Sequence, residues 1–170
     1  MAIAPKARVF WPVMSLWLLA DCATKELAKT HLVTSVPEPV LGETVRWTLA
    51  YNPGAAMSIS LGLGQYTRPF FAVVVSGAVI LLANLYRRTD RHATVAGVAF
   101  ALVIAGAVGN LLDRLRSGRG VVDFIDIGVG SWRFWTFNVA DIGVTVGALL
   151  LAWQLSKADG QTAPSEVGVR

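Results

Sequence analysis

The stretch that decides the fold is Ala93–Arg114, ATVAGVAFALVIAGAVGNLLDR. From Ala93 to Leu112 it carries no charge, and about 20 mostly apolar residues let a helix cross the hydrocarbon core of a bilayer. Small residues recur every four positions, at Ala93, Gly97, Ala101, Ala105 and Gly109. Such a stripe lets a second helix backbone approach closely in lipid. The run closes on Asn110, Asp113 and Arg114, so its end is polar.

Three further stretches match it. Val9–Thr24 has Asp21 close to its end, Pro69–Tyr86 is uncharged between Arg68 and Arg87, and Val139–Leu155 has Asp141 near its start. Gly143 and Gly147 repeat the small-residue spacing in the last of these. The expected fold class is therefore an α-helical integral membrane protein with four transmembrane helices. Composition agrees: the 170 residues are 54% hydrophobic and 15% charged, with a mean hydropathy of +0.55. That is too apolar for an ordinary soluble domain. The length suits one domain, read as residues 1–158, with 159–170 expected to be a disordered tail.

Lys6 and Arg8 followed by the apolar run Val9–Ala20 imitate a signal peptide, and Leu19-Ala20-Asp21-Cys22 imitates a lipoprotein cleavage box. Asp21, however, stands where a small uncharged residue belongs, so this segment reads as a retained anchor. Four spans put both termini on one side. Arg87, Arg88 and Arg91 crowd a very short turn, while the opposite loops, about 30–67 and 115–136, dilute their basic residues among acidic ones. The termini are accordingly expected in the cytoplasm. The net charge of +4 is scattered around apolar runs, which argues for membrane flanks rather than a nucleic-acid partner. A single cysteine, Cys22, excludes an intramolecular disulfide. Trp47, Trp132 and Trp135 would sit at the outer interface, with Trp11 and Trp153 at the inner one.

The outer loops carry extended signals. Val45, Trp47 and Leu49 alternate with more polar residues before the turn-forming Asn52-Pro53-Gly54, within a partly strand-like Thr44–Ser60. Ser117-Gly118-Arg119-Gly120 precedes an extended Val121–Ile127.

Ionisable residues beside lipid are costly and point to function. Asp123 and Asp141 border apolar stretches on what would be the same outer rim. In a strand, Asp123 and Asp126 point to opposite faces, so only one can meet Asp141, and alternation alone does not choose. Asp21 and Lys25 share a helix face four residues apart and can pair. Asn52 either organises its turn or presents an amide to a bound peptide. Gly106, Asn110 and Asp113 or Arg114 lie roughly along one face, where Arg114 offers a fork for a carboxylate or a grip on carbonyl oxygens and Asp113 reads as its structural partner. Asn138 and Asp141 share a face at a helix start, where a negative side chain is favoured for structural reasons alone.

His31 and His92 fall on opposite membrane sides in this topology, which removes a Ser–His–Asp site and a histidine-rich zinc site. No phosphate-binding glycine loop is present. No metal or organic cofactor is expected.

Five motifs in order, Asp21-Cys22-Ala23-Thr24-Lys25, Tyr51-Asn52-Pro53-Gly54-Ala55-Ala56, Gly109-Asn110-Leu111-Leu112-Asp113-Arg114, Val121-Val122-Asp123-Phe124 and Phe137-Asn138-Val139-Ala140-Asp141, resemble the bacterial lipoprotein signal peptidase (signal peptidase II) family from about Trp11 to Trp153. The resemblance implies an aspartic endopeptidase of the bacterial cytoplasmic membrane, with its active site at the outer face. It would act on diacylglyceryl-modified prolipoproteins, just before the lipid-bearing cysteine. It implies Asp123 and Asp141 as catalytic residues, and Asn52, Gly54, Gly106, Asn110, Arg114 and Asn138 around the bound peptide. Asp21, Lys25 and Asp113 would be structural supports, and the first outer loop would form a small β-rich cradle. A monomer working in lipid is expected. Cys22, Pro53 and Met57 depart from the family's usual glutamine, threonine and phenylalanine. Three rivals remain at this level: a proton-coupled carrier, a non-enzymatic assembly protein, and a divalent-metal hydrolase using Asp113, Asp123, Asp126 and Asp141.

Overall fold

A computed structural model describes residues 3–54 and 64–161. Met57, part of the strand-like Thr44–Ser60 and most of the expected tail lie outside the described residues. The order of elements is α1 (Pro5–His31), β1 (Glu38–Leu41), β2 (Val45–Asn52), α2 (Thr67–Arg88), α3 (Thr94–Arg116), β3 (Val121–Val129), β4 (Trp132–Arg133) and α4 (Val139–Gln161), with a short 3-10 turn, Gly64–Tyr66, leading into α2.

The segment quoted first is the centre of the molecule. α3 packs against α1, α2 and α4, and Ala99, Ala101 and Ala105 are wholly buried. A Cβ on Gly97 would meet the Lys6 carbonyl and Val9 of α1, and one on Gly109 would collide with the Asp21 carboxylate. The stripe is therefore the α1 contact. Gly106 faces the other way, against the Ala140 carbonyl of α4, and Gly147 of α4 returns the contact on Ala99 and Val103. Close backbone approach substitutes here for the apolar burial that drives packing in water.

The outward sides are apolar. α2 buries no residue, and Val73, Ile80 and Leu81 are 73%, 64% and 59% exposed. A surface of that kind is not tolerated in water but suits lipid. Among the described residues, three helical stretches, Gly64–Arg88, Thr94–Arg116 and Val139–Lys157, are long and apolar enough to cross a membrane. The expected four thus become three by this measure. α1 falls short because Asp21 and Lys25 interrupt its apolar run, although its 27 residues span about 40 Å at 1.5 Å per residue. α4 also runs on to Gln161, past the expected start of the tail.

The sheet is four-stranded and antiparallel in the order β1-β2-β3-β4. The cradle was expected from the first outer loop alone. Half of it comes instead from the connection between α3 and α4, because Val121–Val129 pairs along β2 with Tyr51 opposite Val122 and Arg46 opposite Asp126. Leu49, Val122 and Phe124 bury one face against Ala28 of α1. At the opposite end of the bundle, Lys6 is buried and donates to the Tyr86 and Thr89 carbonyls at 2.7 and 2.5 Å, closing the C-terminus of α2. A cation among terminal carbonyls satisfies groups that a helix end leaves unpaired.

Candidate active site

The site lies where β3 meets the first turn of α4. The Phe124 and Ile125 N–H groups both donate to the Phe137 carbonyl, at 3.0 and 2.8 Å, pinning the entry of α4 to β3. Asn138 is then the residue before the helix, and its side-chain oxygen accepts the Asp141 N–H at 3.0 Å. Asp141 Oδ2 accepts the Asn138 N–H in return at 3.1 Å. This is a reciprocal capping box, which satisfies two otherwise orphaned donors. The spacing of three between Asn138 and Asp141 therefore has a helix-start role, whatever its chemistry.

The wholly buried Asn138 also ties the two aspartates together. Its Nδ2 donates to Asp123 Oδ1 at 2.6 Å, with the Asn110 oxygen at 3.1 Å and the Val122 carbonyl at 3.2 Å. Asp141 Oδ1 receives the Asn110 amide at 2.8 Å. Both carboxylates line one open cleft of about 500 Å³, together with Asn52, Thr136 and Thr145, and Phe134, Trp135 and Phe137 form its aromatic wall. Asp123 is only 4% exposed. Burial first, and the neighbouring Asp141 charge second, push its carboxyl up to about 7, against hydrogen bonds from Asn138 and Asn52 and the charge of Lys25.

Asp126 is held elsewhere. Arg46 reaches its Oδ2 at 2.7 Å, Arg133 its Oδ1 at 2.7 Å, and the Thr48 hydroxyl donates at 3.1 Å. Burial alone would raise this carboxyl, but the hydrogen bonds from Arg46, Arg133 and Thr48 outweigh it and hold it below the usual carboxylate range. The strand's alternation, which left the choice open, is resolved by these partners. Neither arginine partner of Asp126 was anticipated, although Arg46 opposite Asp126 is the kind of cross-strand charge pair that register would reveal.

Lys25 bridges Asp21 and Asp113, at 2.9 Å to each, and donates to the Asn110 oxygen at 2.8 Å. The i,i+4 pair of Asp21 and Lys25 therefore forms. Asp113 is not the partner of Arg114: adjacent helix positions point apart, and Asp113 turns to Lys25 and to the Val122 N–H at 3.1 Å. Asp21 also accepts the Ala140 N–H at 2.9 Å, at the start of α4.

The expected peptide-contacting residues divide. Asn52 lines the cleft and also accepts the Gly54 N–H at 3.0 Å, so the turn and the site both use it. Gly54 is buried with φ +123°, and a Cβ there would press on Phe71 and Thr67; its requirement is conformational. Gly106 is a helix-packing residue in this geometry, and Asn110 is engaged behind the carboxylates. Arg114 makes no carboxylate fork among the described residues. It donates to the Asn110 carbonyl at 3.1 Å and faces a separate cavity of about 690 Å³ with Gln65, Thr67 and Arg68. Among the described residues no group of three or more His, Cys, Asp or Glu is placed to hold a metal ion. Trp135 was read only as an interface residue. The density of Phe134-Trp135-Thr136-Phe137 just before Asn138 was the available signal for the cleft wall.

Two carboxylates converge on one cleft, on a scaffold of membrane-length helices, the setting of a membrane enzyme. The chain belongs to the signal peptidase (SPase) II family, peptidase family A8, whose profile matches residues 13–157. It is 43% identical over 145 residues to a lipoprotein signal peptidase of Hydrogenovibrio crunogenus, covering 83% of this chain and 80% of that one. It is 40% identical over 151 residues to one of Ectopseudomonas mendocina, covering 88% and 89%. A bacterial membrane enzyme structure obtained by the in meso method at 2.3 Å resolution superposes with a TM-score of 0.79 at 29% identity, over 92% of each chain.

Proposed function

We propose that Asp123 and Asp141 are the catalytic dyad of this signal peptidase, and that the chain removes the signal peptide from diacylglyceryl-modified prolipoproteins just before the lipid-bearing cysteine. The observation that carries the dyad is Asn138, a single buried residue whose side-chain NH₂ donates to Asp123 and whose backbone N–H donates to Asp141, at one cleft. Two acids so placed do not ionise together easily, and they share a proton. The ionised member takes a proton from water, whose oxygen attacks the scissile carbonyl carbon. The protonated member hydrogen-bonds the carbonyl oxygen, and the pair returns a proton to the leaving amine as the C–N bond breaks. Asp113 and Asp126, the other acids of the metal-hydrolase alternative, are consumed by Lys25 and by two arginines.

The cleft opens beside apolar helix surface, which supports a substrate anchored in the same membrane. We place α1 as a fourth span, its charges paired internally, within one membrane domain that works as a monomer in the bacterial cytoplasmic membrane. The termini then lie in the cytoplasm, and the sheet and dyad at the outer face.

Purified protein in detergent is expected to cleave lipidated prolipoprotein and to leave the unlipidated form uncut. Asp123→Asn and Asp141→Asn should each abolish turnover with folding intact. Near-wild-type turnover in either variant would remove the dyad assignment, and equal cutting of both substrates would remove the lipid requirement.

A further inference from the structure

The polar core between α1, α3 and the start of α4 is wired in one direction. Lys25 is a donor with no acceptor: it donates to Asn110 Oδ1 at 2.8 Å and lies as an ion pair 2.9 Å from Asp21 Oδ2 and from Asp113 Oδ2. It is only 3% exposed. A carboxamide has one acceptor end and one donor end. With Lys25 on its oxygen, the Asn110 NH₂ is turned to the other side, where it donates to Asp141 Oδ1 at 2.8 Å.

Asn138 is oriented independently. Its oxygen takes the Asp141 backbone N–H, a group that can only donate, so its NH₂ faces Asp123. That NH₂ has two hydrogens for three acceptors, Asp123, the Asn110 oxygen and the Val122 carbonyl, with Asp123 nearest. Asn138 alone is thus a poor anchor for the Asn110 oxygen. Lys25, at 2.8 Å and charged, is the strong one.

We propose that Lys25 is a positioning residue for the reaction: it clamps the oxygen of Asn110 so that the amide's donor end stays on Asp141. This rests on reading Asp123 and Asp141 as the catalytic pair. Asp141 accepts one N–H on each oxygen, from Asn110 and from the Asn138 backbone, so loss of the Asn110 donor removes one of its two N–H contacts. In the forward step the ionised aspartate takes a proton from water as the new C–O bond forms. The carbonyl electron pair moves onto oxygen, which takes the proton of the protonated aspartate. On collapse that aspartate recovers its proton, the C–N bond breaks, and its partner passes the proton taken from water to the amine nitrogen.

The test is a double-mutant cycle on kcat and KM with lipidated substrate. Lys25→Met removes the charge and the donors but keeps the length of the stem, and Asn110→Ala removes the amide through which Lys25 acts. Each should lower kcat at least about tenfold, the worth of a hydrogen bond to a charged group, with KM unchanged. The double variant should be no slower than Asn110→Ala alone. Wild-type kcat in folded Lys25→Met, or additive losses in the cycle, would overturn the proposal. If Lys25→Met does not yield folded protein, Asn110→Ala decides: unchanged kcat with raised KM would make Asn110 a peptide contact and end the positioning role. Asp123→Asn and Asp141→Asn, assayed alongside, separate the two ideas. Active dyad variants sink the catalytic reading, whereas inactive ones beside a normal Lys25→Met sink only the positioning.

Discussion

Two aspartates three positions apart on one strand are driven in opposite directions by what surrounds them. Asp123 is buried next to another acid and is pushed up to about 7, while Asp126 is held low by Arg46, Arg133 and Thr48. The consequences for pH follow by linkage. A folded-state value for Asp123 above the unfolded one of about 4 favours the folded state at low pH, and that advantage is lost as pH rises toward 7. For Asp126 the sign reverses: its contribution is present above about 4 and lost as pH falls through its depressed folded value. Thermal unfolding in detergent should therefore show Asp123→Asn gaining on wild type between pH 4 and 7. Asp126→Asn should lose stability at neutral pH, converge with wild type in acid, and keep its turnover. Loss of turnover in a folded Asp126→Asn would count against the division of roles. The same raised value predicts that kcat/KM declines above about pH 7, as the pair gives up its shared proton. A flat alkaline limb would contradict it.

At the scale of elements, the contact between α3 and α4 sets the position of Asp141. A Cβ on Gly106 would overlap the Ala140 carbonyl oxygen and press on Val144. Those are backbone and branched atoms that cannot swing aside. Gly106→Ala should therefore part the helices, destabilise by about 1–3 kcal/mol, as overpacking does, and lower kcat because Ala140 adjoins Asp141. Gly118→Ala, whose Cβ would find only Arg68 Nη1 at 3.8 Å, should change neither melting temperature nor kcat. Equal behaviour of the two variants would show that the helix contact does not constrain the site. The period-four stripe in α3 was legible from spacing, but it described the α1 face. The α4 contact through Gly106, one position from Ala105, was not legible, because a helix interior carries several faces and sequence does not say which neighbour takes each. Likewise β3 was visible as an extended run, while its pairing with β2 across the whole of α2 and α3 is a long-range choice.

At the scale of the whole molecule, the apolar exterior defines the solvent. Trp11, Trp132, Trp135 and Trp153 are 61%, 68%, 49% and 47% exposed, as residues at membrane–water boundaries would be. The proposed orientation can be read by single-cysteine labelling after Cys22, which is exposed, is replaced by alanine. A membrane-impermeant maleimide applied to spheroplasts should label Thr44→Cys, between β1 and β2, and should reach Asp90→Cys, between α2 and α3, only after lysis. Labelling in the reverse order would invert the topology.

The sequence by itself determined what is local or additive. Apolar runs long enough for a bilayer set the helical segments, alternation and turn residues set the strands, and motif order set the family. Tertiary structure decided what depends on partners distant in the chain. It joined β2 to β3, locked Asp126 between Arg46 and Arg133, separated Asp113 from Arg114, and brought Lys25 through Asn110 to Asp141. The physical reason is that a carboxylate's chemistry is set by its burial and by the donors and charges that reach it, and those are supplied by the packing of other elements rather than by its neighbours in sequence.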